Sequence, residues 1–195
     1  MKIVVYDFDG TIYDGDSTFD FFMYLLKKRK KNALLVVPVI IKAAFAYLTG
    51  KGGLTAFKSR LFEFMYLHYE VEKEATLFWN LDSTMKKINS WFLSRNKKYY
   101  EVIASASPEF ELLPISRKLS VDTLICTRCD SRGTIIGSNC KSSEKIERIE
   151  KEIGPVSVHA MYTDNCRADG PLLAIAQEQY LVKKGRCSRI QYEHH

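Results

Sequence analysis

The chain has 195 residues, 46% of them hydrophobic and 27% charged, which is enough for one domain with a sizeable core and argues against a wholly disordered or fibrous protein. Lysine and arginine outnumber aspartate and glutamate by 29 to 23. The net charge of +6 favours an anionic partner but leaves nucleic acid, phosphorylated metabolites and anionic lipid all open.

The first part of the chain predicts one strand followed by a block of helices. Residues 2–8 form a short apolar run that ends in carboxylates, which indicates a buried parallel strand, and Gly10-Thr11 interrupts it. Asp16 and Ser17 offer a helix N-cap. Further helices are predicted at residues 33–48, 54–69 and 72–95, with a glycine-rich loop at 50–53. We therefore expect an insertion of about 80 residues that is entirely helical.

Beyond this block, strands alternate with helices. Strands are predicted at residues 99–105, 121–127, 156–162 and 180–182, and helices at 108–118, 142–153 and 171–177, with a hairpin around Arg132-Gly133. This alternation indicates an α/β fold with a Rossmann-like, three-layer core and a mostly parallel sheet. We expect residues 1–14 and 96–195 to form this core and residues 15–95 to form a second, all-helical domain.

The five cysteines predict reduced thiols and a cytoplasmic protein. Their number is odd, and the first residues resemble a strand rather than a secretory signal. Cys126-x-x-Cys129 with Cys140 suggests zinc, but no fourth ligand follows at finger spacing, so ordinary strand and turn residues are the favoured interpretation. The longest apolar stretch, residues 33–48, is shorter than the roughly 20 residues that a membrane-spanning helix needs.

Polar side chains follow several of the predicted strands. Ligands of open α/β sheets bind beyond the carboxyl ends of the strands, so these side chains are expected to share one rim. Carboxylates, a hydroxyl and a lysine at one rim suit a divalent cation and a phosphoryl group. The candidate residues are Asp7, Asp9, Ser105, Ser107, Lys145, Asp164 and Asp169.

The sequence from Asp7 to Thr11, Asp-Phe-Asp-Gly-Thr, resembles the first motif of the haloacid dehalogenase-like superfamily. Ser105, at the end of an apolar run, resembles the second motif, and Lys145 at a helix start resembles the third. Asp164 and Asp169 resemble the fourth. The resemblance covers the whole chain, and it identifies the helical insertion with the C1 cap of the phosphoserine phosphatase-like subfamily IB.

This resemblance implies a phosphatase with assigned roles for the aspartates. Asp7 would be the nucleophile that forms an aspartyl-phosphate, and Asp9 would be the general acid and then the general base. Mg²⁺ would be held by Asp7, by the backbone carbonyl of Asp9 and by Asp164, with Asp169 close by or acting through water. Asp9 favours phosphoryl chemistry, because haloacid dehalogenases need no leaving-group acid there.

The remaining site residues would bind the phosphoryl group. Ser105 would donate a hydrogen bond to it, and Ser107, Gly10 and Thr11 would complete its binding site. A lysine would neutralise its charge. Lys145 is preferred for this role because it stands in Glu-Lys-apolar context, and Lys141 stays open as the alternative.

Within this subfamily the insertion resembles the C-type phosphatidylglycerophosphate phosphatases of bacteria. The shared features are an acidic residue, an aromatic-rich helix, a basic cluster and an Asn-Ala-Leu-Leu-Val segment, here Asp16, residues 19–26, residues 27–31 and residues 32–36. Ser107-Pro108 and the Asp-Gly-Pro-Leu-Leu sequence at 169–173 are also similar. The fourth motif has one residue more between its aspartates than is usual in that group. This departure concerns the role of Asp169, the second aspartate of the motif, more than the role of Asp164.

The substrate is therefore expected to be a phosphomonoester, either a lipid phosphate such as phosphatidylglycerophosphate or a small soluble phosphate such as phosphoserine. Asp16 and Arg60 are candidate substrate contacts from the cap. Residues 27–48 combine a basic cluster with an apolar helix, which suits contact with a membrane surface, peripheral at the inner face. The remote alternatives are a nucleic-acid-binding module, although no binding motif accompanies the basic residues, and an inactive scaffold. The sequence does not indicate the oligomeric state.

Overall fold

The computed structural model describes residues 1–48 and 53–192. Most of the predicted loop at 50–53 lies outside the described residues. Every side chain of the predicted catalytic rim lies within them.

A six-stranded sheet in the order β3-β2-β1-β4-β5-β6 forms the centre of the fold. The strands are β1 (Lys2–Tyr6), β2 (Tyr100–Pro108), β3 (Thr123–Thr127), β4 (Ser157–Thr163), β5 (Glu178–Lys183) and β6 (Arg186–Ile190). β1 to β5 pair in parallel, and β6 pairs antiparallel with β5. Ile3 and Val5 of β1 are fully buried, as expected for a central strand covered on both faces. The predicted α/β class with a mostly parallel sheet is confirmed.

Helices connect the strands. Between β1 and β2 lie α1 (Ser17–Lys28), α2 (Lys31–Leu48), α3 (Leu54–His68), α4 (Val71–Phe78), α5 (Asp82–Met85) and α6 (Ser90–Leu93). Those after β2 are α7 (Glu109–Lys118), α8 (Ser143–Ile153) and α9 (Gly170–Ile175). Asp16 caps α1, because its carboxylate accepts the Phe19 backbone N–H at 2.8 Å. The division into domains at residues 15 and 95 stays a prediction.

The structure differs from the sequence-based elements in two places. The helical segment predicted at 72–95 is broken into α4, α5 and α6. The break between α5 and α6 occurs where residues 87–89 pair with the loop after β1: Asp14 N–H donates to the Lys87 carbonyl, and Asn89 N–H donates to the Ile12 carbonyl. The sequence analysis also missed β6. A two-residue turn at Lys184-Gly185, with φ of 49° and 71°, joins it to β5.

The hydrophobic core lies on both faces of the sheet. On one face, aromatic rings of the inserted helices pack against α7. The ring centres of Phe62 and Phe110 are 5.6 Å apart in an edge-to-face arrangement, and the ring centres of Phe21 and Phe110 are 6.4 Å apart. Trp79, after α4, is buried, and its indole N–H donates to the Glu111 carbonyl at 2.7 Å. Shared packing therefore holds α1 and α3 above the carboxyl ends of the strands.

Candidate active site

Asp7 and Asp9 follow β1 at the carboxyl edge of the sheet. The Asp7 backbone N–H donates to the Tyr162 carbonyl of β4 at 2.9 Å, which extends the sheet pairing to the first aspartate. Gly10 turns the chain with a φ of 71°. A Cβ on Gly10 would lie 2.4 Å from Oδ2 of Asp164, so only glycine lets the Asp164 carboxylate lie against this turn. The structure thus brings Asp7, Asp9 and Asp164 to one place.

Lys145, the third residue of α8, points to the first aspartate. Its Nζ donates to Oδ1 of Asp7 at 2.9 Å and to Oδ1 of Asp169 at 2.7 Å. The Thr163 hydroxyl donates to the other oxygen of Asp169 at 2.7 Å, so both Asp169 oxygens are engaged. Lys141, the alternative, is exposed. Asp169 as placed holds Lys145, and its role as a metal ligand stays a prediction.

Burial strongly affects the charges of this cluster. Burial raises the pKa of Asp7 to about 7, against the opposing effect of the Lys145 ammonium. Burial by itself lowers the pKa of Lys145, but Asp7 and Asp169 outweigh it and raise the pKa above the ordinary lysine value. Burial also raises the pKa of Asp164. The site therefore carries more negative charge than Lys145 alone compensates.

Asp9 is held by both of its carboxylate oxygens. The Ser17 backbone N–H donates to Oδ1 at 2.7 Å, and the Ser107 hydroxyl donates to Oδ2. Burial raises the pKa of Asp9, and these hydrogen bonds oppose that rise. The first turn of α1 and the end of β2 therefore orient one carboxylate together.

The predicted phosphate-binding hydroxyls are buried beside the aspartates. Ser105 is 1% exposed, and its oxygen accepts the Ser107 backbone N–H at 3.1 Å. Thr11 is fully buried, and its hydroxyl makes no hydrogen bond within the described part of the chain. A buried hydroxyl without a partner is costly unless a ligand or water satisfies it.

The cap contributes Lys58, which the sequence analysis did not single out. Lys58 Nζ donates to the Ala106 carbonyl at 3.2 Å, between the two site serines. Burial lowers the pKa of Lys58, while the charges of Asp9 and Asp16 oppose this shift. The predicted contact, Arg60, is exposed and lines a groove between α2 and α3.

Lys58 and Arg60 are two positions apart, which separates their side chains by about 200° around the helix. The structure therefore directs Lys58 toward the aspartates and Arg60 away from them. No sequence signal distinguishes these two cations of one helical turn. The packing of α3 does, through contacts such as the Ile135 backbone N–H to the Ser59 hydroxyl at 3.2 Å. Asp16 remains at the rim, where it caps α1 and influences the pKa of Asp9.

The comparisons with known proteins agree with this arrangement. A family model described as haloacid dehalogenase-like hydrolase matches residues 4–171, which span all four motifs. The chain belongs to this family. It is an enzyme of the hydrolase class, as the sequence analysis predicted.

Similar proteins support the fold of this hydrolase. The chain is 32% identical over 197 aligned positions to the protein CicA of Caulobacter vibrioides, covering 94% of this chain and 87% of that protein. A protein of unknown function from Bordetella pertussis Tohama I has a similar structure, with a TM-score of 0.73, 18% identity and coverage of 91% and 88%. A phosphoserine phosphohydrolase-like protein from Francisella tularensis gives a TM-score of 0.54, 17% identity and coverage of 92% and 86%.

The oxygen atoms of the hydrolase site suit a hard divalent cation. In the residues that the structure describes, no three His, Cys, Asp or Glu side chains form a group that by itself would hold a metal ion. Mg²⁺ needs no such group, because it keeps several waters and takes one or two carboxylates. Asp7, which contacts Lys145, and Asp164, which lies against the Gly10 turn, fit that donor set with the Asp9 carbonyl.

The cysteines lie apart from this chemistry. All five are free thiols, and Cys126 and Cys140 are buried. Burial raises the pKa of Cys140 to about 11 and that of Cys129 to about 12, which keeps these thiols protonated and weakly reactive at neutral pH.

Proposed function

We propose that this hydrolase is a Mg²⁺-dependent phosphatase that hydrolyses a phosphomonoester through an aspartyl-phosphate intermediate. The observation that carries the proposal is the pair of carboxylates after β1 in different surroundings. Asp7 contacts the buried ammonium of Lys145, whereas Asp9 contacts only hydrogen-bond donors without charge. Two carboxylates with separate environments suit a nucleophile and a general acid.

In the first step, a carboxylate oxygen of Asp7 attacks phosphorus, and the bond from phosphorus to the ester oxygen breaks. Lys145 favours the ionised form of Asp7, which is the nucleophilic one, and compensates charge on the phosphoryl oxygens. Asp9 gives its proton to the departing alkoxide. Ser105 and Thr11 would donate hydrogen bonds to the phosphoryl group.

In the second step, Asp9 takes a proton from water, and the water oxygen attacks phosphorus. The bond to Asp7 breaks, which releases inorganic phosphate and regenerates both carboxylates. Mg²⁺, when held by Asp7, the Asp9 carbonyl and Asp164, supplies positive charge that lets the anionic nucleophile approach an anionic substrate.

Lys58 of the inserted helices suits an anionic substrate. The exposed surface of α2 favours a lipid phosphate over a small soluble one. α2 exposes a row of apolar side chains, including Leu34 at 79% and Ile41 at 61% exposure. The basic residues 27–31 lie next to this row and are all exposed. Exposed apolar residues beside cations suit an anionic bilayer, where each cation contributes about 1 kcal/mol near the surface.

We therefore propose peripheral contact of residues 27–48 with an anionic membrane. Within the described residues, no helix is sufficiently long and apolar to span a bilayer, so α2 would lie at the surface. The groove beside it is lined by apolar side chains such as Leu35 and Phe64, by the cations Lys42 and Arg60 and by the carboxylate of Glu63. The apolar walls suit an acyl chain, and the two cations outnumber the single carboxylate for an anionic headgroup.

Phosphate release tests the activity and the substrate together. Phosphatidylglycerophosphate in mixed micelles is compared with soluble phosphomonoesters, including phosphoserine, with Mg²⁺ and with a chelator. We expect Mg²⁺-dependent release and preference for the lipid. Asp7→Asn is expected to reduce kcat by at least about 10³-fold, because the amide is not a nucleophile. Release at the wild-type rate by this variant would refute the mechanism, and preference for phosphoserine would favour the soluble-substrate alternative.

Vesicle sedimentation tests the membrane contact. Leu34→Asp combined with Ile41→Asp is expected to abolish binding to anionic vesicles while leaving hydrolysis of a soluble ester unchanged. A matched control places aspartate at two exposed apolar residues elsewhere, Leu93 and Ile175, which are 56% and 52% exposed. Equal binding by both double variants would exclude α2 as the membrane-contacting surface.

A further inference from the structure

A chain of buried hydrogen bonds leads from Asp9 to a carboxyl group that the proposed mechanism does not use. Ser107 donates to Asp9, and the Thr18 hydroxyl oxygen lies 3.0 Å from the Ser107 hydroxyl oxygen. The same Thr18 oxygen lies 2.8 Å from Oε2 of Glu111. Thr18, Ser107 and Glu111 are 8%, 3% and 0% exposed, so water does not compete along this chain.

With Oδ2 of Asp9 ionised, the number of hydrogens available to these three contacts gives the protonation state of Glu111. The single hydroxyl hydrogen of Ser107 is used on Asp9, so Thr18 must supply the hydrogen between itself and Ser107. The contact between Thr18 and Glu111 then lacks a hydrogen unless Glu111 carries a proton. While Oδ2 of Asp9 carries no proton, only protonated Glu111 makes all three contacts hydrogen bonds; a proton on that Oδ2 would instead reverse the donors along the three contacts.

The surroundings of Glu111 favour the same state. Oε1 of Glu111 makes no hydrogen bond with the described residues, and leaving an ionised oxygen buried in this way is costly. Burial raises the pKa of Glu111 to about 8, and the charges of Asp9 and Asp16 add to the rise, against the effect of the Ser17 and Thr18 hydroxyls.

The other titratable groups that face Glu111 are Lys58 from α3 and the Tyr13 phenol from the loop after β1. From the α4 side, the Trp79 indole contacts only the Glu111 backbone carbonyl and brings no charge.

We propose that Glu111 is a positioning residue whose proton directs the Thr18 and Ser107 hydroxyls toward Asp9, which fixes the orientation of the general acid. This inference rests on the proposed phosphatase function. When Glu111 loses its proton, the Thr18 hydrogen turns to Glu111, the Ser107 oxygen loses its donor, and a second negative charge is buried behind Asp9. Both changes weaken the arrangement that holds Asp9 for proton transfer.

Isosteric variants test the hydrogen-bond chain. Thr18→Val removes the hydroxyl and is expected to lower kcat about tenfold on a soluble alkyl phosphate with KM unchanged, whereas Thr18→Ser keeps kcat within about twofold. Glu111→Gln, whose amide N–H₂ always donates, is expected to retain kcat at pH 7 and to lose the part of the alkaline fall in kcat that comes from Glu111. Glu111→Met is expected to behave as Thr18→Val does.

Infrared difference spectroscopy tests the protonation state without relying on activity. The wild type at pH 7 is expected to show the carbonyl stretch of a protonated carboxylic acid that is absent from Glu111→Gln. Absence of this band, or wild-type kcat in both Thr18→Val and Glu111→Met, would overturn the inference while leaving the phosphatase proposal intact. Absence of phosphate release by the wild type would refute both.

Discussion

At the scale of single residues, the position of one carboxylate depends on the absence of a side chain opposite it. Gly10 has a φ of 71°, and the Asp164 carboxylate occupies the space that a Cβ would fill. Gly137 has the same φ, but a Cβ there would meet nothing within 4 Å. Substitution at Gly137 therefore reports the cost of backbone strain alone, whereas substitution at Gly10 adds the effect of displacing Asp164.

We expect both Gly10→Ala and Gly137→Ala to lose about 1–2 kcal/mol in the free energy of unfolding, because alanine is strained at positive φ, and Gly10→Ala to lose more, because its Cβ displaces Asp164. Only Gly10→Ala is expected to lose activity, by about 10²-fold, because a displacement of about 1 Å at a reacting group has that effect. Urea unfolding and phosphate release measure the two quantities. Equal activity in the two variants would show that Asp164 does not need this position.

The predicted substrate contact from the cap can also be tested at single residues. Lys58→Met is expected to raise KM for a soluble phosphomonoester about tenfold, because it removes a partly buried cation beside the site. Arg60→Met is expected to leave that KM near the wild-type value, because Arg60 lines the groove between α2 and α3 and faces away from the aspartates. The opposite pattern would assign the substrate contact to Arg60, as the sequence analysis predicted.

At the scale of elements, a buried ion pair joins the end of the inserted helices to β2. The Arg95 guanidinium contacts both carboxylate oxygens of Glu101, the shorter at 2.6 Å, and the two side chains are 15% and 2% exposed. Arg95 also donates to the Leu119 carbonyl, and Glu101 accepts the Tyr6 hydroxyl. α6, β1, β2 and the end of α7 therefore meet at one charged group.

Arg95→Met is expected to lower the free energy of unfolding by about 3–5 kcal/mol, because it leaves the Glu101 charge buried without its partner. Lys97→Met is a matched control: Lys97 contacts Asp122 in a neighbouring ion pair that is exposed, and its loss is expected to cost less than about 1 kcal/mol. Denaturant titration measures both. Equal losses in the free energy of unfolding would show that burial of the ion pair between Arg95 and Glu101 does not increase its contribution to stability.

At the scale of the whole molecule, Glu111 gives stability a dependence on pH. Its pKa is raised to about 8 in the folded protein, from an ordinary value of 4.5. Between these two pH values the folded state holds the proton and the unfolded state does not. Stability therefore falls as pH rises through this window, by at most about 1.4 kcal/mol per pH unit from this group.

Glu111→Gln is expected to reduce this fall, so its advantage in Tm over the wild type grows from pH 5 to pH 8. Glu147→Gln, at an exposed position of α8, is the control and is expected to follow the wild-type curve, because water reaches that side chain in both states. Parallel curves of Tm against pH for the wild type and Glu111→Gln would show that ionisation of Glu111 does not lower the stability of the folded protein.

Local patterns predicted much of this molecule. Alternating apolar runs and helical periodicity indicated the parallel strands and the inserted helices, because those patterns follow from side-chain direction along each element. They did not indicate the breaks between α4, α5 and α6, of which the second lies where residues 87–89 pair with the loop after β1. They also missed β6, whose pairing follows from the Lys184-Gly185 turn rather than from apolar alternation.

By itself, the sequence determined the α/β class and the order of the motifs, and it named Asp7, Asp9, Lys145 and Asp164 as the candidate site residues, because motif residues are adjacent in the chain or follow strands that must end at one edge. Tertiary structure decided which cation of α3 faces those carboxylates, that both oxygens of Asp169 are engaged, and that Glu111 lies behind Asp9. These are contacts between residues distant in sequence, and they depend on how helices rotate and pack, which no local pattern specifies.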